Sequence, residues 1–145
     1  DGLAQLPPFN PDLDPEPDRS GDVQLPPPVR ALRAHVAAAD GLLIACPEYA
    51  HGIPGAFKNV LDWLVGSLEL PGKPVLLLNT SARGSHHAQD ALMEVLTTMS
   101  ARLLSSEPVP MRLAGAGCTT ELVLASEDRR CELQAALGCL VAGLP

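Results

Sequence analysis

The chain has 145 residues, of which 46% are hydrophobic, and a formal net charge of −7. This length accommodates one domain with a core of ordinary size. The acidic balance argues against nucleic acid or an anionic membrane surface as a partner, since either would need a basic patch. No apolar run approaches the roughly 20 residues of a membrane span, and we therefore expect a cytoplasmic protein.

The four cysteines are expected to be reduced thiols with a structural role. They form no CxxC pair and have no metal-ligand spacing with the four histidines. Cys46 ends an apolar run, and Cys131 and Cys139 fall in a helical pattern, where free cysteine behaves as a small hydrophobic side chain. A redox role for Cys46 is the alternative interpretation.

The first part of the chain is rich in proline. The apolar residues among positions 3–9 predict the end of a strand that runs into a turn. Six further prolines lie between residues 10 and 28, interspersed with acidic residues. This composition excludes regular structure and predicts a mobile surface loop.

A helix and a strand come next. Residues 28–41 predict a helix, because the two valines and Leu32 recur at helical spacing and Asp40-Gly41 closes it. Residues 42–45 are a continuous apolar run, which is typical of a strand buried on both faces of a parallel sheet. Pro47 ends this strand, so a polar loop forms at its carboxyl end.

A second helix and a second strand repeat this arrangement. Pro54 suits the first turn of a helix, and the apolar side chains that follow it recur at helical spacing up to Leu64. Residues 75–79 form another apolar run of strand length, bounded by turn residues. A third helix has an apolar face made of Ala88, Ala91, Leu92, Val95, Leu96, Met99 and Leu103.

A small polar loop, residues 80–87, joins the second strand to the third helix. Loops at such a position present backbone N–H groups that suit a carbonyl or an anionic ring edge. From the residues alone, an ordinary turn with two exposed histidines is an equally good interpretation.

The end of the chain predicts an edge strand and a last helix. Val109, Met111 and Leu113 alternate with other residues, and the neighbouring prolines restrict the segment to an edge strand that ends in residues 114–117. Ser126 suits the N-cap of a helix whose apolar face would be Leu133, Leu137, Leu140, Val141 and Leu144. The alternation of strands and helices predicts an α/β fold, with helices on both faces of a parallel sheet.

The stretch from Pro47 to Trp63 resembles the signature of the NAD(P)H-dependent FMN reductases. The matching residues are Pro47-Glu48-Tyr49, Pro54-Gly55, Lys58-Asn59 and Leu61-Asp62-Trp63. Two positions depart from the usual pattern, since Ala50 stands where the family commonly has Asn and Gly52 where it often has Ser. These departures remove side-chain hydrogen bonds and leave backbone contacts in place.

The resemblance implies a flavodoxin-like fold, a doubly wound parallel sheet with strand order 2-1-3-4-5. It also implies that the sheet is incomplete at the N-terminus, because the first strand, its phosphate-binding loop and the first helix have no counterpart in these residues. We therefore expect residues 1–145 to form a single flavodoxin-like reductase domain that is truncated at its N-terminus.

The function implied by the resemblance is an oxidoreductase. Such an enzyme takes hydride from NAD(P)H and passes electrons through FMN to a small-molecule acceptor, which is a quinone, an azo compound, a metal oxyanion or a flavin. The cofactor carries the chemistry, so we name no catalytic residue, and we expect no metal site. The resemblance assigns FMN contacts to Pro47, Glu48, Tyr49, Ala50 and His51 in one loop and to Ser81, Ala82 and Gly84 in the other. It further implies a homodimer or homotetramer.

Other roles are assigned to the remaining motif residues. We expect Glu48 to be a structural partner and not an acid catalyst. Lys58 and Asn59 are expected to be structural, and Asp62 and Trp63 to face a neighbouring helix or subunit.

A second hypothesis belongs to a different class. The chain would be a non-catalytic, truncated remnant that acts as an interaction module or has no stable fold, which the missing interior strand supports. A flavodoxin that only carries electrons fits poorly, because the Lys58-Asn59 and Asp62-Trp63 pairs resemble the reductases.

Overall fold

The computed structural model describes residues 2–14, 24–111, 113 and 118–145. The helices in these ranges are α1 (Pro27–Ala38), α2 (Gly55–Val65), α3 (His86–Thr98), α4 (Thr120–Ala125) and α5 (Glu127–Ala142). The strands are β1 (Leu42–Ala45), β2 (Pro74–Asn79), β3 (Arg102–Leu103) and β4 (Val109–Pro110), and short 3-10 helices span Leu3–Gln5 and Pro11–Leu13. The predicted alternation of strands and helices is confirmed.

The strand β2 is the centre of a parallel sheet. On one side it pairs with β1, and Ala45 at the end of β1 lies opposite Leu78. On the other side β3 pairs with the first half of β2 and β4 pairs with its second half. The two short strands therefore lie end to end along the same edge of β2, and β4 is an edge strand, as predicted.

The core consists of two layers, one on each face of β2. Val75 and Leu77 face α2 and α3, and they pack against Leu61, Leu92 and Leu96. The alternate residues of the strand, Leu76 and Leu78, face the opposite side and pack against α4 and α5. All five residues from position 74 to 78 are buried, which explains why β2 reads as an uninterrupted apolar run.

The prediction that β1 is buried on both faces is wrong. Leu42 and Ile44 are half-buried against the α2 and α3 side, whereas Leu43 is 37% exposed and Ala45 is also exposed. No described helix covers β1 on the second face, and no described strand pairs with its outer edge. An apolar run thus overstates the burial of a strand that pairs on one side only within the described part of the chain.

The predicted strand end near the N-terminus is also wrong. Residues 2–14 form two 3-10 helices and no strand. This segment docks on α2, where the Asn59 side chain accepts a hydrogen bond from the Phe9 N–H (2.7 Å) and donates one to the Pro7 carbonyl (3.0 Å). The Trp63 indole N–H donates to the same carbonyl at 2.8 Å. The prolines cannot donate to a sheet, and side chains of α2 take the place of a neighbouring strand.

Trp63 is fully buried by this docking. Its ring lies edge-on to Phe9, with the ring centroids 5.0 Å apart. Farther along the segment, Asp14 pairs with Arg33 at 2.8 Å, and the Arg33 guanidinium also donates to the Trp63 carbonyl. Trp63 faces the N-terminal segment, and Asp62 pairs instead with Lys58 on the same helix. Most of the predicted proline-rich loop, residues 15–23, lies outside the described residues.

The third helix ends earlier than predicted. Leu103 was assigned to its apolar face but belongs to β3. Ser100 adopts a left-handed conformation with φ of 60°, and the Ala101 N–H donates to the Leu96 carbonyl, which closes the helix. On the remaining face, Leu92 and Leu96 are fully buried and Met99 is half-buried, close to the prediction.

The C-terminal helix buries a narrower face than predicted. Ser126 is the N-cap, as expected, and its hydroxyl accepts from the Arg129 N–H. Leu137 and Val141 were assigned to the buried face but are 40% and 65% exposed. Leu133 and Leu140 pack against the β2 layer, as predicted, together with Ala136, which was not predicted.

Two further features differ from the expectations. The helix α4 was not predicted, because six residues capped by Thr119 show little periodicity. Cys131 and Cys139 are exposed and do not act as core residues, whereas Cys46 is buried. The end of the predicted edge strand, residues 114–117, lies outside the described residues.

Every described helix is too short or too polar to cross a membrane.

Asn59→Ala should destabilise the fold by about 1 to 3 kcal/mol, because it leaves the part-buried Phe9 N–H without a partner. Lys58→Ala on the same helix is the matched control, since it removes only a partly exposed ion pair worth about 0.5 kcal/mol or less. Chemical denaturation of both variants measures the difference. Equal losses would show that Asn59 does not hold the N-terminal segment.

Candidate functional site

Two loops meet at the carboxyl edge of the sheet. The Pro-Glu-Tyr loop (residues 47–52) follows β1, and the second loop (residues 80–85) follows β2. Because the two strands are parallel neighbours in register, both loops emerge at one edge, where open α/β sheets bind ligands. Between them lies a cleft of about 490 Å³, lined by Pro47, Glu48, Thr80, Ser81, Ala82, Arg83, Ser85, Leu113 and Cys118.

The Pro-Glu-Tyr loop ends in a tight two-residue turn. Tyr49 and Gly52 exchange both backbone hydrogen bonds, at 3.1 and 3.0 Å. The two residues between them have positive φ, 50° for Ala50 and 59° for His51. This conformation favours Asn and Gly, and it costs alanine about 1 to 2 kcal/mol. The loop tip is therefore strained, and the side chain of Tyr49, at its base, is 67% exposed.

Glu48 links the Pro-Glu-Tyr loop to α3. Its Oε2 atom accepts a hydrogen bond from the Ala88 N–H, in the first turn of the helix, at 3.0 Å. This bond and the nearby His87 and His51 hold the pKa of Glu48 below its usual value. Because the folded state favours the carboxylate, the stabilisation is present at neutral pH and is lost as the pH falls through the lowered pKa. Glu48 is thus a structural partner, in agreement with the sequence analysis.

A buried amide makes a second link between the same elements. The Nε2 atom of Gln89 donates to the Cys46 carbonyl at 3.2 Å, and the side chain is 3% exposed. The start of α3 is therefore bonded at two successive residues, Ala88 to Glu48 in the loop and Gln89 to Cys46 just before it. Together these bonds hold the beginning of the Pro-Glu-Tyr loop against α3.

Asn79, the last residue of β2, organises the second loop. Its side-chain oxygen accepts from the Ser81 N–H at 3.1 Å, and its amide group donates to the Gly84 carbonyl. The Ser81 hydroxyl in turn accepts from the Arg83 N–H at 3.1 Å. Two of the loop's N–H groups, those of Ser81 and Arg83, are thus used within the loop, which narrows the predicted set of donors available to a ligand. Asn79 was not predicted as a site residue, although Asn before a small polar loop is a common turn signal.

The cleft brings together half of the residues predicted to contact FMN. Pro47, Glu48, Ser81 and Ala82 all line it. Gly84 lines an adjoining cleft of about 380 Å³, which also contains Ser81 and Ala82. Tyr49, Ala50 and His51 are at the exposed loop tip and do not line the cleft. The assignment of these eight residues to FMN stays a prediction.

Five lining residues were not predicted. Thr80, Arg83 and Ser85 lie within the predicted second loop, so their position in the chain could have indicated them. Leu113 and Cys118 come from the far side of the sheet, and no local signal places them here. The Cys118 sulfur accepts a hydrogen bond from the Arg129 guanidinium at 3.5 Å. Cys46 is not a lining residue. It is buried, which raises the pKa of its thiol and disfavours the reactive thiolate.

The chemical groups around the cleft suit an organic ligand. Among the described residues, no group of three or more His, Cys, Asp or Glu side chains has the geometry of a metal site. Hydroxyls, backbone groups and a guanidinium alternate with apolar surface from Pro47 and Leu113. The volume lies within the usual range for small-molecule sites.

Comparison with known families identifies one match. The family described as NADPH-dependent FMN reductase matches residues 2–114. A curated relative, the NADH:(hydroxy)cinnamate reductase subunit CrdA of Vibrio ruber, is 36% identical over 117 residues, which cover 77% of this chain and 58% of the relative. A 2-hydroxy-1,4-benzoquinone reductase of a Burkholderia species is 34% identical over 118 residues, with coverage of 78% and 64%. The chain thus spans about three fifths of the length of these two relatives.

Comparison with solved structures confirms the fold class. The flavoenzyme FerB, an NAD(P)H:(acceptor) oxidoreductase from Paracoccus denitrificans, superposes with a TM-score of 0.60. The two chains are 24% identical, and the match covers 97% of this chain and 74% of FerB. The architecture of a parallel sheet between helices is therefore flavodoxin-like, as predicted.

Ala50→Asn should stabilise the protein by about 0.5 to 1 kcal/mol, because Asn adopts the left-handed conformation more readily than Ala. Ala50→Val at the same position should destabilise it by about 1 to 3 kcal/mol, since a β-branched side chain is least compatible with positive φ. Thermal or chemical denaturation measures both. If Asn and Val destabilised the fold alike, the left-handed turn would be the wrong description of this loop.

Proposed function

Because this chain belongs to the NADPH-dependent FMN reductase family, we propose that the cleft between the two loops binds FMN and that the protein transfers hydride from NAD(P)H to a small-molecule acceptor. The observation that carries this proposal is the shared cleft at the carboxyl ends of β1 and β2. The family's signature loop forms one of its walls, and the loop after the neighbouring strand forms the other.

The residues around the cleft fit the ring of a flavin. A planar heteroaromatic ring needs two apolar or peptide surfaces and polar groups along one edge. Pro47 and Leu113 supply apolar surface, and the hydroxyls of Thr80, Ser81 and Ser85 supply polar groups. The cleft volume of about 490 Å³ is ample for such a ring.

The protein's part in the reaction is binding and orientation. FMN held in the cleft would supply the hydride and electron-transfer chemistry, and the chain's own residues would bind and orient it. The Pro-Glu-Tyr loop would hold one side of the ring, and its position is set by the hydrogen bond from the Ala88 N–H of α3 to the Glu48 carboxylate of the loop. The second loop would hold the edge of the ring, in a shape set by Asn79.

A quinone is the acceptor that we favour among those suggested by the sequence. The Burkholderia relative is named as a 2-hydroxy-1,4-benzoquinone reductase, and another relative, from Escherichia coli, is named as a quinone reductase. The balance is then one NAD(P)H, one proton and one quinone in, and one NAD(P)⁺ and one hydroquinone out. An open cleft at the surface suits an acceptor that must replace NAD(P)H after each transfer.

The purified chain, supplied with FMN, should oxidise NAD(P)H when a benzoquinone is present. Ala82→Trp should reduce this rate more than about tenfold, because an indole at the cleft wall fills space that the flavin needs. Ala34→Trp, on the exposed side of α1, is the matched control and should leave the rate unchanged. The loss of NAD(P)H absorbance measures all three proteins. A folded chain that neither binds flavin nor oxidises NAD(P)H would favour the interaction module over the enzyme.

The 145-residue chain should discriminate only weakly between FMN and riboflavin. Of the described residues that line the cleft, Arg83 alone carries a permanent positive charge. A hydrogen bond to a charged group is worth about 1.5 to 3 kcal/mol, so one such bond to the phosphate gives a preference of at most about a hundredfold. Quenching of flavin fluorescence gives both dissociation constants.

Arg83→Ala should remove whatever preference for FMN is measured. The exposed Arg130 on α5 gives a matched control, and Arg130→Ala should preserve the preference. A preference of a thousandfold or more, or one that survives Arg83→Ala, would show that a phosphate site exists elsewhere on the chain.

A further inference from the structure

Three titratable side chains connect the Pro-Glu-Tyr loop to α3. Glu48 and His51 belong to the loop, and His87 lies in the first turn of α3. The Nδ1 atom of His51 is 3.3 Å from Oε1 of Glu48. The imidazole rings of His51 and His87 meet edge to face, with their centroids 4.5 Å apart and an interplanar angle of 76°. We call this group of three side chains the clamp.

The clamp acts on the part of the loop that is strained. Ala50 and His51 both have positive φ, and the backbone bonds between Tyr49 and Gly52 close the turn only on itself. The bond from the Ala88 N–H to Glu48 and the contact between the two imidazoles hold this turn against α3. Without them the turn would have fewer contacts to keep it in a costly conformation.

The clamp depends on protonation. Imidazole is the side chain whose charge changes between about pH 5 and 8. A positive charge on His51 lies 3.3 Å from the Glu48 carboxylate, and a charge on His87 also attracts that carboxylate, as the lowered pKa of Glu48 shows. Two positive charges 4.5 Å apart repel each other, and the charge on His87 also opposes the positive end of the α3 dipole.

We propose that Glu48, His51 and His87 hold the Pro-Glu-Tyr loop in its flavin-binding position and release it when both imidazoles are protonated. Glu48 and His87 are positioning residues, since they act on the cleft through the loop. The effect on flavin binding rests on the proposed function, whereas the effect on the loop does not.

The flavin arm of the test uses riboflavin as the ligand, because the phosphate of FMN itself titrates near pH 6. Riboflavin affinity of the wild-type chain should fall by about tenfold or more between pH 8 and pH 5, the range over which imidazole becomes charged. His51→Gln and His87→Gln should each reduce this change to about threefold or less, and the double variant should show no further reduction. His35→Gln, at an exposed position on α1, should keep the full wild-type change.

Glu48→Gln separates the charge of the clamp from its shape. The amide oxygen can still accept the Ala88 N–H, but the group that attracts a protonated imidazole is gone. Affinity in this variant should begin to fall at a higher pH than in the wild type, since a single protonated imidazole is no longer stabilised. Full pH dependence in both histidine variants, or its loss in His35→Gln, would overturn the proposal.

The second arm needs no flavin. Hydrogen exchange of the apo chain, followed on peptides that span residues 47–52, reports opening of the loop directly. After correction for intrinsic exchange, the wild-type loop should open more at pH 5 than at pH 8, because only the wild type gains the repelling pair, and the double histidine variant should show no such change. The same pH dependence of loop opening in the two proteins would overturn the clamp. The expected exchange difference in a chain that binds no flavin would reject the proposed function alone.

Discussion

The parallel, in-register pairing of β1 with β2 is the constraint on which the rest of the site depends. Ala45 lies opposite Leu78, so the chain leaves both strands at nearly the same height. If the strands were antiparallel, the two loops would lie at opposite ends of the sheet and could not form a cleft. A shift of the register by two residues would move the Glu48 carboxylate by about 7 Å along the strand. It could then no longer accept the hydrogen bond from the Ala88 N–H of α3. A single pairing of four residues thus determines the position of most groups in the cleft.

Much of the fold follows from local patterns, and what does not follow depends on distant contacts. The bounds of β1 and β2 and the starts of α1 and α2 were predicted to within about two residues, because apolar runs and prolines mark them. The N-terminal segment was not, since Asn59 and Trp63, some 50 residues away, decide its conformation. In the cleft, the family resemblance indicated Pro47, Glu48, Ser81 and Ala82, which follow directly after β1 and β2. Leu113 and Cys118 reach the cleft only through the path of the chain beyond β2.

The signature residues divide into two groups with different physical tasks. Pro47 and Glu48 shape the cleft, directly or by capping α3. Asn59 and Trp63 lie one to two helical turns into α2, and they hold a separate part of the chain in place. This division suits chemistry that a cofactor carries, because such a protein needs accurate placement of backbone more than it needs reactive side chains.

The docking of the N-terminal segment gives the protein an internal optical reporter. Trp63 is the only tryptophan in the chain, and it is buried beneath Pro7 and Phe9. When the segment detaches, water reaches the indole and its emission shifts toward longer wavelength, even while the sheet remains intact. Intrinsic fluorescence therefore follows the attachment of residues 2–14 to α2, and circular dichroism follows the helices. A difference between the two unfolding curves would reveal whether the segment leaves before the rest of the domain unfolds.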